Sequence, residues 1–203
     1  MRTSYSRSEV TAAVLAGGRA RRMGGQDKGF IHLNGKPMVE YVLAALKPQA
    51  GVIVINANRS HDRYARYGYP VISDELSDFQ GPLAGIVSCL ANLATPYLLT
   101  VPCDSPLLPD DLGLRLYQAL IHEQAELAVA YNGERLQPVF SLLRRELLES
   151  LLDFLEQGER KIDRWYARHK VARADFTDCP DAFLNINTEQ ERAVLAKRLQ
   201  KTT

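Results

Sequence analysis

The chain has 203 residues, 46% hydrophobic and 24% charged, with 25 Lys and Arg set against 24 Asp and Glu. That is the balance of a globular protein with a core, and a formal net charge of +1 argues against a dedicated nucleic-acid binder and against a charged disordered tail. Three cysteines with no CxxC pair predict reduced thiols, and the apolar stretch 10–16 is too short for a membrane span or an export signal, so the expected compartment is the cytoplasm.

The first element is the nearly continuous apolar run 10–16, which ends in Gly17 and Gly18. Such a run suits a strand buried on both faces of a parallel sheet. A Gly- and Arg-rich loop covers 17–29. Residues 30–33 read as a short extended piece turned by Asn34 and Gly35, and Pro37 is expected in the first turn of a helix reaching about Lys47. Strands are expected at 51–56, 70–73 and 97–101, and helices at 61–67, 82–93 and 109–122. Short apolar strands alternating with helices imply βαβ units and a mostly parallel sheet. In the second half, 126–131 and 137–142 flank Asn132 and Gly133, a hairpin signal. Helices are expected at 147–155 and 160–169 and a strand at 171–176. A closing helix over 188–199 has Thr188 as N-cap and Glu191 completing a capping box. The chain shows no internal repeat and no separating linker, so one domain over 1–203 is expected.

Gly17 and Gly18, Asp74 and Asp104 each follow a predicted strand, and open α/β sheets bind ligands at that carboxyl edge. The loop after the first strand joins glycines, which let backbone N–H groups approach an anion, to Arg19, Arg21, Arg22 and Lys28. It is neither a Walker A loop nor a GxGxxG fingerprint. The pattern reads as a phosphate site or as a solvated basic loop. Residues 1–36 hold seven Lys and Arg against two acidic residues, whereas 37–203 hold eighteen against twenty-two. The neutral total therefore conceals a basic patch facing carboxylates at Asp74, Glu75 and Asp78 and at Asp104, Asp110 and Asp111. By position alone Asp104 is a metal ligand or a turn cap before Ser105 and Pro106. Asp74 is a ligand contact or a surface turn residue, and Asn56 a contact or a strand terminator. Asn185 and Asn187 would face the same way in an extended segment. Cys103 has no flanking histidine and reads as a buried thiol. The four histidines, His32, His61, His122 and His169, share no metal-ligand spacing.

The loop reads LAGG, three residues, RMGG, one residue, DKG. It resembles the signature of the nucleotidyltransferases that build dinucleotide forms of the molybdenum cofactor, and most closely their guanylyl-transferring members. The likeness runs in order through Gly35-Lys36-Pro37, Asn56-Ala57-Asn58-Arg59, Gly81-Pro82-Leu83-Ala84-Gly85, Pro102-Cys103-Asp104-Ser105-Pro106 and Phe183-Leu184-Asn185-Ile186-Asn187-Thr188. It implies a three-layer α/β/α Rossmann-like nucleotidyltransferase fold. It also implies Mg²⁺-dependent transfer of GMP from GTP to the terminal phosphate of molybdenum-molybdopterin, releasing pyrophosphate.

Carried onto this sequence, the resemblance gives Leu15, Ala16, Gly17 and Gly18 to GTP through backbone groups. Lys28 and Arg22 go to the phosphates, Asn56 and Asp74 to the nucleoside, and Gly81, Pro82 and Leu83 to base recognition. Asp104 becomes the Mg²⁺ ligand and, with Lys28 and Arg22, part of the catalytic set. Arg160, Lys161, Asn185 and Asn187 go to the pterin. The nucleotide half would span about 8–110 and the pterin-acceptor half about 111–203. Cofactor-inserting proteins and acceptor molybdoenzymes are the expected transient partners, with no nucleic acid and no membrane. The rivals are CMP transfer, a sugar-phosphate acceptor, or a non-catalytic nucleotide-binding module that delivers cofactor. For the basic, aromatic run 160–170, the rivals are an RNA contact and a solvated helix face.

Overall fold

Strand β1 (Val10–Leu15) is buried from Val10 to Val14 and lies between two parallel neighbours. In the computed structural model, which describes residues 4–16, 27–74, 81–186 and 188–199, these neighbours are β4 (Val52–Asn56) and β6 (Tyr97–Pro102). Burial on both faces explains why β1 reads as an unbroken apolar run rather than an alternating one. A short hairpin of β2 (His32–Leu33) and β3 (Lys36–Pro37) stands apart from the main sheet. Its turn residues Asn34 and Gly35 both take positive φ, as a tight two-residue hairpin turn requires.

The main sheet is completed by β5 (Val71–Ile72), β7 (Leu127–Tyr131), β8 (Leu136–Arg144) and β9 (Val171–Asp175), in the order β5-β4-β1-β6-β8-β7-β9. Only β8 runs against the others. The mostly parallel expectation is correct, and so is the hairpin through Asn132 and Gly133. The β7–β8 register slips between Val129 and Ala130. The carbonyls this takes off the ladder find side-chain donors: Tyr166 Oη donates to Pro138 O at 2.6 Å and Thr100 Oγ1 to Val139 O at 2.7 Å. A buried carbonyl left without a donor would be costly, so these hydroxyls make the bulge tolerable.

Successive side chains of a strand point to opposite faces. Ala12 and Val14 face a layer of α1 (Met38–Leu46), α2 (His61–Ala65) and α4 (Leu112–His122), packed through Val42, Leu46, Tyr64 and Leu116. Ala13 faces a layer of α3 (Pro82–Ala91), α5 (Leu148–Glu156) and α6 (Ile162–Tyr166), packed through Ile86, Leu90, Phe154 and Trp165. The result is the three-layer α/β/α fold expected. After β9 the chain crosses back, and α7 (Glu189–Leu199) joins Ile186 and Leu195 to Ile31, Leu33 and Met38 of the small hairpin region.

Some boundaries differ from the sequence reading. Pro37 belongs to β3, one residue ahead of α1, because its neighbour Lys36 pairs with Leu33. Helix α4 starts at Leu112 rather than at 109, since Leu112 N–H donates to Pro109 O and closes a turn first. The basic segment 160–169 forms only the five-residue α6. The capping box of α7 is present: Glu191 N–H donates to Thr188 Oγ1 at 3.2 Å and Thr188 N–H to Glu191 Oε2 at 2.9 Å.

Candidate active site

The carboxyl ends of β4, β1 and β6 are level, because Leu15 pairs with both Asn56 and Pro102. Beyond the ladder, Ala16 N–H donates to Asn56 O at 2.8 Å and Cys103 N–H donates to Leu15 O at 3.2 Å. Parallel pairing thus brings Leu15, Ala16, Asn56 and Asp104 to one edge of the sheet.

Asp104 lies just past β6 and is 6% exposed. Lys28 Nζ donates to Asp104 Oδ2 at 2.7 Å. Lys28 opens a 3₁₀ turn, Lys28–Phe30, whose first residue follows the cap Asp27. The buried Asp27 carboxylate accepts Gly29 N–H at 3.3 Å and Tyr64 Oη at 2.6 Å through Oδ1, while Oδ2 has no partner among the described residues. Glycine at 29 lets the Tyr64 hydroxyl come close, since a Cβ there would strike it unless Tyr64 moved. Burial, then the neighbouring Cys103 and Asp27, push the Tyr64 hydroxyl far above its ordinary range, so it stays a donor. Lys28 is therefore carried on a segment pinned to the α2 layer and reaches across to β6.

At the end of β4, the buried Asn56 donates through Nδ2 to Asp74 Oδ1 at 2.8 Å and to Ile72 O at 3.2 Å. Helix α3 comes close because residue 85 lacks a side chain; a Cβ there would fall on Asn56 Oδ1 and lie 2.9 Å from its Cγ. The helix begins at Gly81, whose φ of +118° favours glycine, followed by Pro82 at the first helical position and Leu83 in the core.

The returning segment reaches the same edge. The fully buried Ser105 donates to Asn185 Oδ1, and Ile186 N–H donates to Asp104 O at 3.2 Å. Asn185 thus sits beside Asp104 although 80 residues of chain separate Asn185 from Ser105. Arg160 donates to Leu155 O and Glu159 O at the end of α5. Helix α5 starts at the opposite edge, where Arg145 N–H donates to Pro96 O, and runs back on the α3 side. Arg160 and Lys161 therefore follow the end of α5 that points toward the carboxyl edge. Gly17, Gly18, Arg22, Glu75, Asp78 and Asn187 lie outside the described residues.

Among the described residues no three His, Cys, Asp or Glu groups converge on a cation position. Asp104 offers one hard oxygen ligand, which suits Mg²⁺ sharing its shell with substrate phosphates and water rather than an all-protein cage. Burial, followed by the adjacent Asp104 and Asp27, raises the Cys103 thiol well above its ordinary value, which disfavours the thiolate a nucleophile needs and suits a packing group in the core. Also among the described residues, no helix is long and apolar enough to cross a membrane.

Sequence reasoning missed Asn58, Ser105, the Asp27–Tyr64 pair and the packing reason for Gly85. Ser105 and Asn58 stood within quoted motifs. Tyr64, inside a short helix, carried no local signal of its partner.

Residues 12–173 match the MobA-like NTP transferase domain. The chain is 52% identical over 194 residues to the molybdenum cofactor guanylyltransferase of Shewanella sp. (strain MR-4), covering 96% of this chain and 98% of that one. It is 49% identical over 191 residues to the enzyme of the same name from Shewanella loihica, covering 94% and 97%. Its fold is similar to the crystal structure of molybdopterin-guanine dinucleotide biosynthesis protein A from Archaeoglobus fulgidus, with a TM-score of 0.80 at 24% identity, covering 94% and 99% of the two chains.

Proposed function

This chain belongs to the MobA-like NTP transferase family as a near-full-length relative of molybdenum cofactor guanylyltransferases, and on that premise we propose that it transfers GMP from GTP to the terminal phosphate of molybdenum-molybdopterin. The products are the guanine dinucleotide form of the cofactor and pyrophosphate. An oxygen of the pterin phosphate attacks the α-phosphorus of GTP, and the bond from that phosphorus to the bridging oxygen of pyrophosphate breaks. No covalent enzyme intermediate is needed. The protein's task is alignment and charge neutralisation.

The observation that carries this reading is the Lys28–Asp104 pair at the carboxyl edge, with Asn185 held beside it through Ser105. Lys28 would pass from Asp104 to the phosphates and offset the charge that builds on the leaving pyrophosphate. Asp104, released by that exchange, would hold Mg²⁺. The cation supplies further charge neutralisation when bound and prefers carboxylate, phosphate and water oxygens. Leu15, Ala16, Gly17, Gly18 and Arg22 would line the triphosphate, Asn56 and Asp74 the nucleoside, and Gly81, Pro82 and Leu83 the base. Asn185 and Asn187, with Arg160 and Lys161, would receive the pterin, whose phosphate suits a basic pair.

This divides the chain into a nucleotide half, about 8–110, and an acceptor half, about 111–203. The product is a cofactor for other enzymes, so brief contacts with cofactor-inserting proteins and acceptor molybdoenzymes follow. The test is pyrophosphate release on mixing the protein with GTP, Mg²⁺ and molybdopterin. Release that requires all three supports the reading. Release at the same rate without molybdopterin, or none at all, overturns it.

A further inference from the structure

Asp74 is gripped by two asparagines, only one of which belongs to the nucleotide set above. Asn58 Nδ2 donates to Asp74 Oδ2 at 2.6 Å, and Asp74 N–H donates to Asn58 Oδ1 at 2.8 Å. Asn56 Nδ2 takes Asp74 Oδ1 at 2.8 Å. Among the described residues each carboxylate oxygen thus has one amide donor, and an ionised carboxylate oxygen can accept two hydrogen bonds. The amides hold the carboxylate plane fixed and leave one acceptor position on each oxygen. That is a rigid fork for two adjacent donors, the pattern that vicinal ribose hydroxyls or the N1–H and N2–H₂ edge of guanine present.

We propose that Asn58 is a positioning residue for nucleotide recognition, which aims the Asp74 carboxylate at a pair of donors on the nucleoside. This rests on the guanylyltransferase reading above. Asn58 is exposed, and its loop keeps other ties. Ala57 N–H donates to Ile72 O at 2.9 Å, Ser73 Oγ lies 3.3 Å from His61 Nε2, and Asn56 bonds Ile72 O. The reciprocal Asn58–Asp74 bonds are therefore not needed to hold β4 to β5. Held by Asn56 alone, the carboxylate would turn about that one bond, and its two hydrogen bonds to ligand would then be made at an entropic loss.

The experiment compares wild type, Asn58→Ala and Asn58→Asp. Steady-state constants are measured for GTP, 2′-deoxy-GTP and inosine triphosphate, the last lacking the guanine amino group, alongside melting temperature and KM for molybdopterin. Asn58→Ala is expected to raise KM for GTP about tenfold, through loss of the fixed carboxylate orientation. Values of kcat, KM for molybdopterin and melting temperature should stay near wild type. Asn58→Asp is expected to raise KM further, because it sets a like charge against Asp74. Wild type should discriminate against one of the two analogues, and Asn58→Ala should lose that discrimination. Loss against 2′-deoxy-GTP assigns the fork to the ribose, and loss against inosine triphosphate assigns it to the base. Unchanged KM and unchanged discrimination in both variants would overturn the proposal. Wild type that does not use GTP would instead overturn the reading on which it rests.

Discussion

Lys28 and Asp104, 76 residues apart in the chain, meet at 2.7 Å across the carboxyl edge of the sheet. The carboxylate is nearly buried, while the lysine side chain is 23% exposed. Each neutralises the other's charge. A triphosphate would take the lysine and Mg²⁺ would take the carboxylate. On the proposed function, the pair would keep both charges compensated until substrate binds.

Asp104→Asn is expected to lower kcat by roughly 100- to 1,000-fold, the usual scale for losing one preorganised charge at a reacting centre. Its melting temperature should remain close to wild type, because the amide still accepts from Lys28. Lys28→Ala should lose activity and also about 1–3 kcal/mol of stability, since it strands a nearly buried carboxylate whose cost solvent only partly relieves. Turnover assays with thermal unfolding check both. Near-normal turnover of Asp104→Asn would remove it as the metal ligand.

Gly85→Ala would place a Cβ on the Asn56 side-chain amide. Either α3 moves off the sheet or Asn56 leaves Asp74. The expected outcome is a loss of about 1–3 kcal/mol together with a raised KM for GTP. Chemical denaturation and nucleotide titration of the variant measure the two effects.

Asn185→Asp keeps an acceptor for the Ser105 hydroxyl but replaces the amide donors with negative charge. An anionic pterin phosphate should feel that change more than GTP does. KM for molybdopterin is expected to rise by about tenfold or more, with KM for GTP within about twofold. Equal losses for both substrates would count against Asn185 as an acceptor-side residue.

Glu126 lies at the opposite edge of the sheet, just before β7. The backbone N–H of Lys170, at 2.9 Å, and the hydrogen bond from His169 hold its carboxyl below the ordinary carboxylate value, outweighing desolvation. A depressed folded-state value means the stabilisation is present above the unfolded value and is lost as pH falls through the folded one. Because Glu126 is half exposed, solvent screening limits the effect to under about 1 kcal/mol. Melting temperature as a function of pH should fall more steeply on the acid side for wild type than for Glu126→Gln, with the curves parallel near neutrality.

Much of the fold was legible because burial on both faces leaves a plain trace. The run at β1 and the residues that follow β5 and β6 placed Asp74 and Asp104 at one sheet edge by topology alone, whereas Asn56, the last residue of β4, was assigned only through the resemblance. The capping box at Thr188 and Glu191 was readable because both partners lie within four residues. The Asn58–Asp74 bonds, the Ser105–Asn185 bond and the Tyr64–Asp27 bond span 16, 80 and 37 residues, and no local period encodes them. The five-residue α6 was overestimated because the basic, aromatic segment has helical spacing, yet its next residues turn to feed β9. The role of Gly85 was invisible because close packing against Asn56 exists only in three dimensions.

The most direct test of the central claim is nucleotide selectivity, with pyrophosphate release measured in the presence of molybdopterin and Mg²⁺ for GTP and CTP in parallel. The account predicts release with GTP and little with CTP. Release with CTP and none with GTP would contradict it.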